Sequence, residues 1–142
     1  MFFNNNKIIL INLYFFIISF LLVLFYLGKE NLSIYNFDWL FYGDASSDIF
    51  NWLSYKNSSW KFPIGNFEIE NQGVNSIVFT GAVPLLSIIS KFFFKAFDNF
   101  HFFSIWLFIC FYLQYLFSFL ILNKYYKNYF PSIIGGLFFV LS

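Results

Sequence analysis

The sequence predicts an all-α, polytopic transmembrane helix bundle. Three observations predict it. The 142 residues are 60% apolar and only 11% charged, whereas soluble domains are nearer half apolar and about a quarter charged. Ile8 to Leu27, "IILINLYFFIISFLLVLFYL", is an uninterrupted run of twenty residues without a charge. Phe102 to Leu122 is a second run, of twenty-one residues, in which Gln114 is the one strongly polar interruption. At ~1.5 Å rise per residue, either run makes a helix of roughly 30 Å, the thickness of a bilayer's hydrocarbon core.

The first run follows "MFFNNNK" and is longer than the ~7 to 15 residue core of a cleaved signal peptide. The stretch after it, "YLGKENLS", has no small-x-small cleavage site. It therefore reads as an uncleaved signal anchor, span one, over about 8–27.

Residues 28–75 change regime. Glu30, Asp38, Asp44, Asp48, Glu68 and Glu70 are six of the chain's seven acids, and Asn and Ser are frequent. This is an outer loop, too short to be an independent domain. Within it, "SSDIFNWLSYKN" spaces Ile49, Trp52 and Leu53 at i, i+3 and i+4. Ser46 or Ser47 is available as N-cap and Asp48 falls in the first turn. The pattern predicts an amphipathic interfacial helix whose Trp sits in the headgroup zone. "WKFPIGN", Trp60 to Asn66, reads as an aromatic-anchored turn, with Pro63 fixing φ and Gly65 allowing a positive one.

"SIVFTGAVPLLSIISKFFFKAF", 76–97, predicts a second span, kinked at Pro84, with Lys91 and Lys95 snorkelling near its end. The third span covers about 102–122. A fourth begins near Tyr129 and is incomplete at Ser142 after ~14 residues, roughly 21 Å of helix. The chain is accordingly expected to be the N-terminal part of one transmembrane domain, 1–142, completed by the remaining spans of a longer chain.

Lysine placement orients these spans. Lys7 before span one, with Lys91 and Lys95 at the end of span two, favours a cytoplasmic N-terminus and an outer loop on the far side. Lys124 and Lys127 oppose that bias. The expected location is the cytoplasmic (inner) membrane, multi-pass, with loop 28–75 outside and the lipid bilayer as partner.

Composition also excludes functions. Net charge is +1 and the eight lysines are scattered, so no nucleic-acid footprint exists. Arg is absent and Phe, Ile, Asn, Lys and Tyr are abundant, a usage that an AT-rich genome produces, so the 28% aromatic content is not read as a set of binding platforms. The single cysteine, Cys110, lies in an apolar run and has no partner for a disulfide or a zinc site. His101 is likewise alone, which leaves no metal ligand set. Gln114 reads as a helix–helix hydrogen bond before it reads as part of a substrate path. No Walker loop, GxGxxG, HExxH or GxSxG occurs.

The carboxylates carry the remaining chemistry. Asp44 follows Gly43 at the start of the loop helix and is the candidate general base toward a hydroxyl acceptor. Asp48 is one turn on and is the candidate assistant, through its charge, a second hydrogen bond or a shared divalent cation. Gly-Asp is also ordinary turn chemistry, and an acid in a first helical turn is ordinary helix-start chemistry.

Taken in order, Gly43-Asp44, Trp52, Trp60 with Phe62-Pro63 and Gly65, Ser76-Ile77-Val78-Phe79-Thr80 with Pro84-Leu85, and Leu113-Gln114 resemble the N-terminal part of an uncharacterised bacterial polytopic membrane protein family similar to the GT-C type glycosyltransferases. The resemblance covers roughly Phe37 to the end. It implies a GT-C-like bundle in which a carboxylate of the first outer loop, here Asp44, activates the acceptor and the sugar arrives on a polyprenyl-phosphate-linked donor. Trp52 and Trp60 are the implied substrate-side aromatics. The family pattern carries an acid between "SIVFT" and "PL", where this sequence has Gly81-Ala82. The resemblance thus implies either an impaired copy or one in which Asp48 takes that part. This stretch alone is expected to be inactive. The competing readings are a non-enzymatic small integral membrane protein, such as a structural or assembly subunit, and a transporter fragment, which the Pro-broken second span favours.

Overall fold

A computed structural model describes residues 5–69, 73–94 and 100–141. The described residues form five α-helices and one β-hairpin: α1 (Asn5–Leu27), α2 (Ala45–Asn57), β1 (Asn66–Ile69), β2 (Gly73–Ser76), α3 (Pro84–Phe94), α4 (Phe103–Tyr126) and α5 (Tyr129–Leu141). It divides into two compact units, one of Met1–Ser33 with Phe103–Ser142 and one of Ile34–Phe102.

The first unit is helical. Ile9–Leu27 and Phe103–Tyr126 are long and apolar enough to cross a membrane. Its core is Phe15, Tyr115, Phe119 and Val140, with Phe15 packed 4.5 Å from the Tyr115 ring and 4.9 Å from Phe119, centroid to centroid. Small residues bring α5 onto α4: a β-carbon at Gly136 would lie 3.0 Å from Tyr115 Cε2, and one at Gly135 would lie 2.6 Å from Leu122 Cδ1. Gln114 Nε2 donates to the Phe139 carbonyl of α5, the helix–helix hydrogen bond its position predicts. α5 has 13 residues, about 20 Å of helix.

The second unit is where the structure departs from the hydropathy reading. Instead of one kinked span over 76–97, Ser76 closes β2, Ile77–Phe79 is a 3-10 turn, and a helix begins only at Pro84. α3 runs for 11 residues, about 16 Å, half a bilayer core. Lys95 and Phe97 lie outside the described residues. The physical reason is local. Val83 takes φ +46°, a conformation foreign to a β-branched residue, immediately before Pro84. A helix cannot pass through that pair, so Pro84 starts α3, where its missing N–H is harmless, and does not kink a longer one.

The rest of the unit is built on α2. Ile49, Trp52, Tyr55 and Lys56 form its buried stripe, at the i, i+3, i+6, i+7 spacing of one helix face. The β-hairpin pairs antiparallel from Asn66↔Ser76 to Ile69↔Gly73. Its Phe67 is fully buried, 5.9 Å from the Tyr55 ring and edge-on to it. Gly65, at φ +111°, joins the Pro63 turn to β1 and its carbonyl accepts from Ile77 N–H at 2.9 Å. His101 fastens the two ends of the unit: its backbone N–H donates to the Ile34 carbonyl at 3.0 Å, and its Nε2 donates to the Asn36 carbonyl at 2.9 Å. It is a core histidine, fully buried and edge-on to Phe37 and Trp39.

Candidate functional site

Gly43 adopts φ +66°, which swings the chain from the 3-10 turn Asp38–Phe41 into the first turn of α2. Ser46 Oγ donates to the Gly43 carbonyl at 2.8 Å and Ser47 Oγ to the Asp44 carbonyl at 3.0 Å. The serines thus bind the backbone of the turn, and the Asp44 side chain makes no capping hydrogen bond to the helix. Asp44 is exposed, and its carboxylate sits at the positive end of the α2 dipole.

Asp48 lies on the same face of α2, one turn further in and half-buried. Its carboxylate rests on Gly81: a β-carbon there would come within 2.6 Å of both Asp48 oxygens and 2.8 Å of Cγ. The Gly81 loop is itself tightly tied. Thr80 Oγ1 donates to the Ile77 carbonyl at 2.8 Å and accepts from Ala82 N–H at 3.3 Å. Ser87 Oγ donates to the Ala82 carbonyl, and Ser87 N–H to the Val83 carbonyl at 3.0 Å. The strained Val83 is held by this knot. Only a glycine at 81 leaves room for the Asp48 carboxylate.

The two tryptophans part company. Trp52 is fully buried, donates from Nε1 to the Phe100 carbonyl at 3.2 Å and packs edge-on to Phe102 at 5.1 Å. It is a core residue of the unit, turned inward where the sequence pattern expected an outward-facing aromatic. Trp60 remains 44% exposed and, with Ile64, Ile88, Ile89, Phe92 and Phe93, lines an apolar groove of about 570 Å³. That volume lies in the ~300–1,000 Å³ range of small-molecule sites.

Behind Trp60 stands a group that sequence reasoning placed elsewhere. Lys91 was expected at a membrane boundary, but its side chain is fully buried. The ammonium lies 4.0 Å from the Tyr55 ring centroid and 4.7 Å from that of Trp60, and it donates to Ser58 Oγ at 3.0 Å. Two aromatic faces and a hydroxyl take the place of water around the cation. Burial pushes the Tyr55 phenol up from its ordinary 10.0. No short-range signal pairs residue 91 with residues 55, 58 and 60. Nor does any local pattern pair Gly81 with Asp48.

Among the described residues, no three His, Cys, Asp or Glu side chains gather as a metal site. Among the described residues, a divalent ion at the head of α2 would have Asp44 and Asp48 as its side-chain carboxylates, short of a protein cage.

No curated protein and no solved structure matches the chain. One family does, over residues 16–142, and the chain belongs to it: the family described as Domain of unknown function (DUF6311).

Proposed function

We propose that the chain is the N-terminal part of a membrane-embedded, GT-C-like glycosyltransferase. It moves a sugar from a polyprenyl-phosphate donor to an acceptor hydroxyl outside the cytoplasmic membrane. The observation that carries this reading is the pair of carboxylates at the head of α2, with Asp44 exposed and Asp48 seated at Gly81. They belong to a folded unit whose sequence is bracketed by two helices of span length. Support also comes from the place of the Asp48 carboxylate, which occupies the space where a side chain at 81 would start. That supports Asp48 in the part of the acid that the resembling family carries in that interval.

Asp44 is the base. It takes the proton of the acceptor hydroxyl as the oxygen attacks the anomeric carbon from the face opposite the phosphate. The anomeric C–O bond to phosphate breaks, the polyprenyl phosphate leaves with the bonding pair, and the configuration inverts. Asp48, fixed by the Gly81 contact, holds negative charge beside the developing oxocarbenium ion.

The test uses the whole protein reconstituted in liposomes with radiolabelled polyprenyl-phosphate sugars. Asp44→Asn is expected to lower transfer about 10²- to 10⁴-fold, the usual worth of a general base, while the protein remains inserted and folded. Full transfer by that variant refutes the role of Asp44. No transfer by the wild-type protein from any polyprenyl-phosphate sugar refutes the reaction.

A further inference from the structure

α3 is built inside out. Its three polar side chains, Ser87, Ser90 and Lys91, are its buried residues, while Leu85, Ile89, Phe92 and Phe93 point outward and are exposed. A helix on a water-facing surface shows the opposite arrangement. The inversion continues beyond the helix, because Trp60, Phe62 and Ile64 of the Pro63 turn are also exposed, Phe62 at 93%. The groove joins the two sets into one apolar face.

In the Pro63 turn Lys61 is neutralised by an ion pair with Glu68, and on α3 charge is withdrawn from this face altogether. Lys91, the single charged residue of α3, turns its ammonium inward under Tyr55 and Trp60. Its four-carbon stem is used to reach the interior, the reverse of snorkelling. Exposed apolar area of this extent marks a surface that is covered in the working protein.

We propose that this face docks the Ile34–Phe102 unit onto the bilayer, with α3 lying in the headgroup–acyl boundary and lipid acyl chains filling the groove. Lipid is favoured over a protein partner by the way the unit is tied. Its last residue, Phe102, is followed directly by α4, and its first, Ile34, is separated from α1 only by Gly28 to Ser33. Six residues reach at most roughly 20 Å. With α1 and α4 in the membrane, both ends of the unit stay close to the lipid surface. The described α3 covers about half a bilayer core, and an apolar face with an exposed Trp is the chemistry of a segment lying in the interface plane. The docking surface is thus α3 with the Pro63 turn, not the α2 face that the sequence pattern suggested, since the Trp of that helix is internal.

Spin labels on the full chain in phosphatidylcholine–phosphatidylglycerol liposomes test this. In a Cys110→Ser background, Phe62→Cys and Phe93→Cys are labelled, with Tyr42→Cys as the exposed reference. The ratio of oxygen to nickel-chelate collisions is expected to be several-fold higher at 62 and 93 than at 42. A ratio equal to that at 42 places the face in water and overturns the proposal. Exclusion of both reagents at 62 and 93 means that protein, either a second copy or another part of a longer chain, covers the face, and overturns it equally. Native fluorescence gives a label-free check: bromine-substituted acyl chains should quench an emission component that Trp60→Phe removes. If the component lost in Trp60→Phe is unquenched, the docking is refuted. Neither readout depends on catalysis, so docked labels on a protein without transfer activity would sink only the glycosyltransferase reading.

Discussion

Trp52→Ala separates a core tryptophan from an interfacial one. The indole is fully buried and donates to the Phe100 carbonyl at 3.2 Å. A Trp side chain buries ~150–250 Å², which at ~25 cal/mol per Å² corresponds to about 4–6 kcal/mol as an upper bound. Partial collapse of the site lowers the observed cost to about 3–5 kcal/mol. Trp52→Phe keeps most of the apolar volume but leaves the Phe100 carbonyl without its donor, at a cost of about 1–3 kcal/mol. Phe50 provides the control, since it lies two residues away on the same helix and is exposed; Phe50→Ala should stay within about 0.5 kcal/mol. Hydrogen exchange of the α2 amides in lipid nanodiscs reads all three as changes in opening free energy. The expected order is Trp52→Ala, then Trp52→Phe, then Phe50→Ala. A Trp52→Ala cost no larger than that of Phe50→Ala refutes the assignment of the α2 inner face.

Two further outcomes follow from the same unit. Gly81→Ala drives a β-carbon into the Asp48 carboxylate, so it should destabilise α2 by about 1–3 kcal/mol, and Asp48→Ala in the same chain should recover most of the loss. Equal costs in the two backgrounds would show that Gly81 and Asp48 are not coupled. Tyr55 has a raised pKa in the folded unit because burial disfavours its phenolate. The folded state therefore keeps the proton longer than the unfolded chain, and this contribution is complete below the ordinary value of 10.0 and declines as pH rises through it. Phenolate absorbance followed across alkaline pH should show a late-titrating component, and Tyr55→Phe should diminish it; an unchanged titration contradicts the buried placement.

The parts of this fold that were legible are those whose cause is local. A charge-free run is enough to make α1 and α4, because helix length and apolarity are properties of consecutive residues. α2 was readable from Ile49 and Trp52 on one face with polar residues before them, and it begins at Ala45 with Asp44 ahead of it. Gln114 was readable because an amide in an apolar helix needs a partner, which it finds in the Phe139 carbonyl. The failures share a different cause. Hydropathy adds Ile77, Val78, Phe79, Val83 and the residues of α3 as though one helix carried them, and it has no term for the left-handed Val83 that forbids such a helix. Periodicity identifies one polar and one apolar side of a helix, but it does not say which side faces the protein. Water is the usual arbiter, and it puts the polar side out.

In α3 the opposite holds, because Tyr55, Ser58 and Trp60 supply from 31 or more positions away what water would have supplied to Lys91. The cation is solvated from within, and the apolar side is left to face outward. The position of Asp48 has a similar long-range cause, since the residue that makes room for it is a glycine 33 positions away that carries no chemistry of its own. Both cases tie the α2 head and the α3 face to one small folded unit. On the proposed function, the α2 carboxylates act on a lipid-borne sugar and must be held at a set height above the hydrocarbon, and the proposed docking of α3 is a means of setting it. Moving α3 out of the interface with a charge on its outer face, as in Phe93→Lys, should therefore reduce transfer from a membrane-resident donor while leaving Asp44 and Asp48 intact, and a variant that undocks by the spin-label criterion yet transfers at the wild-type rate would break that link.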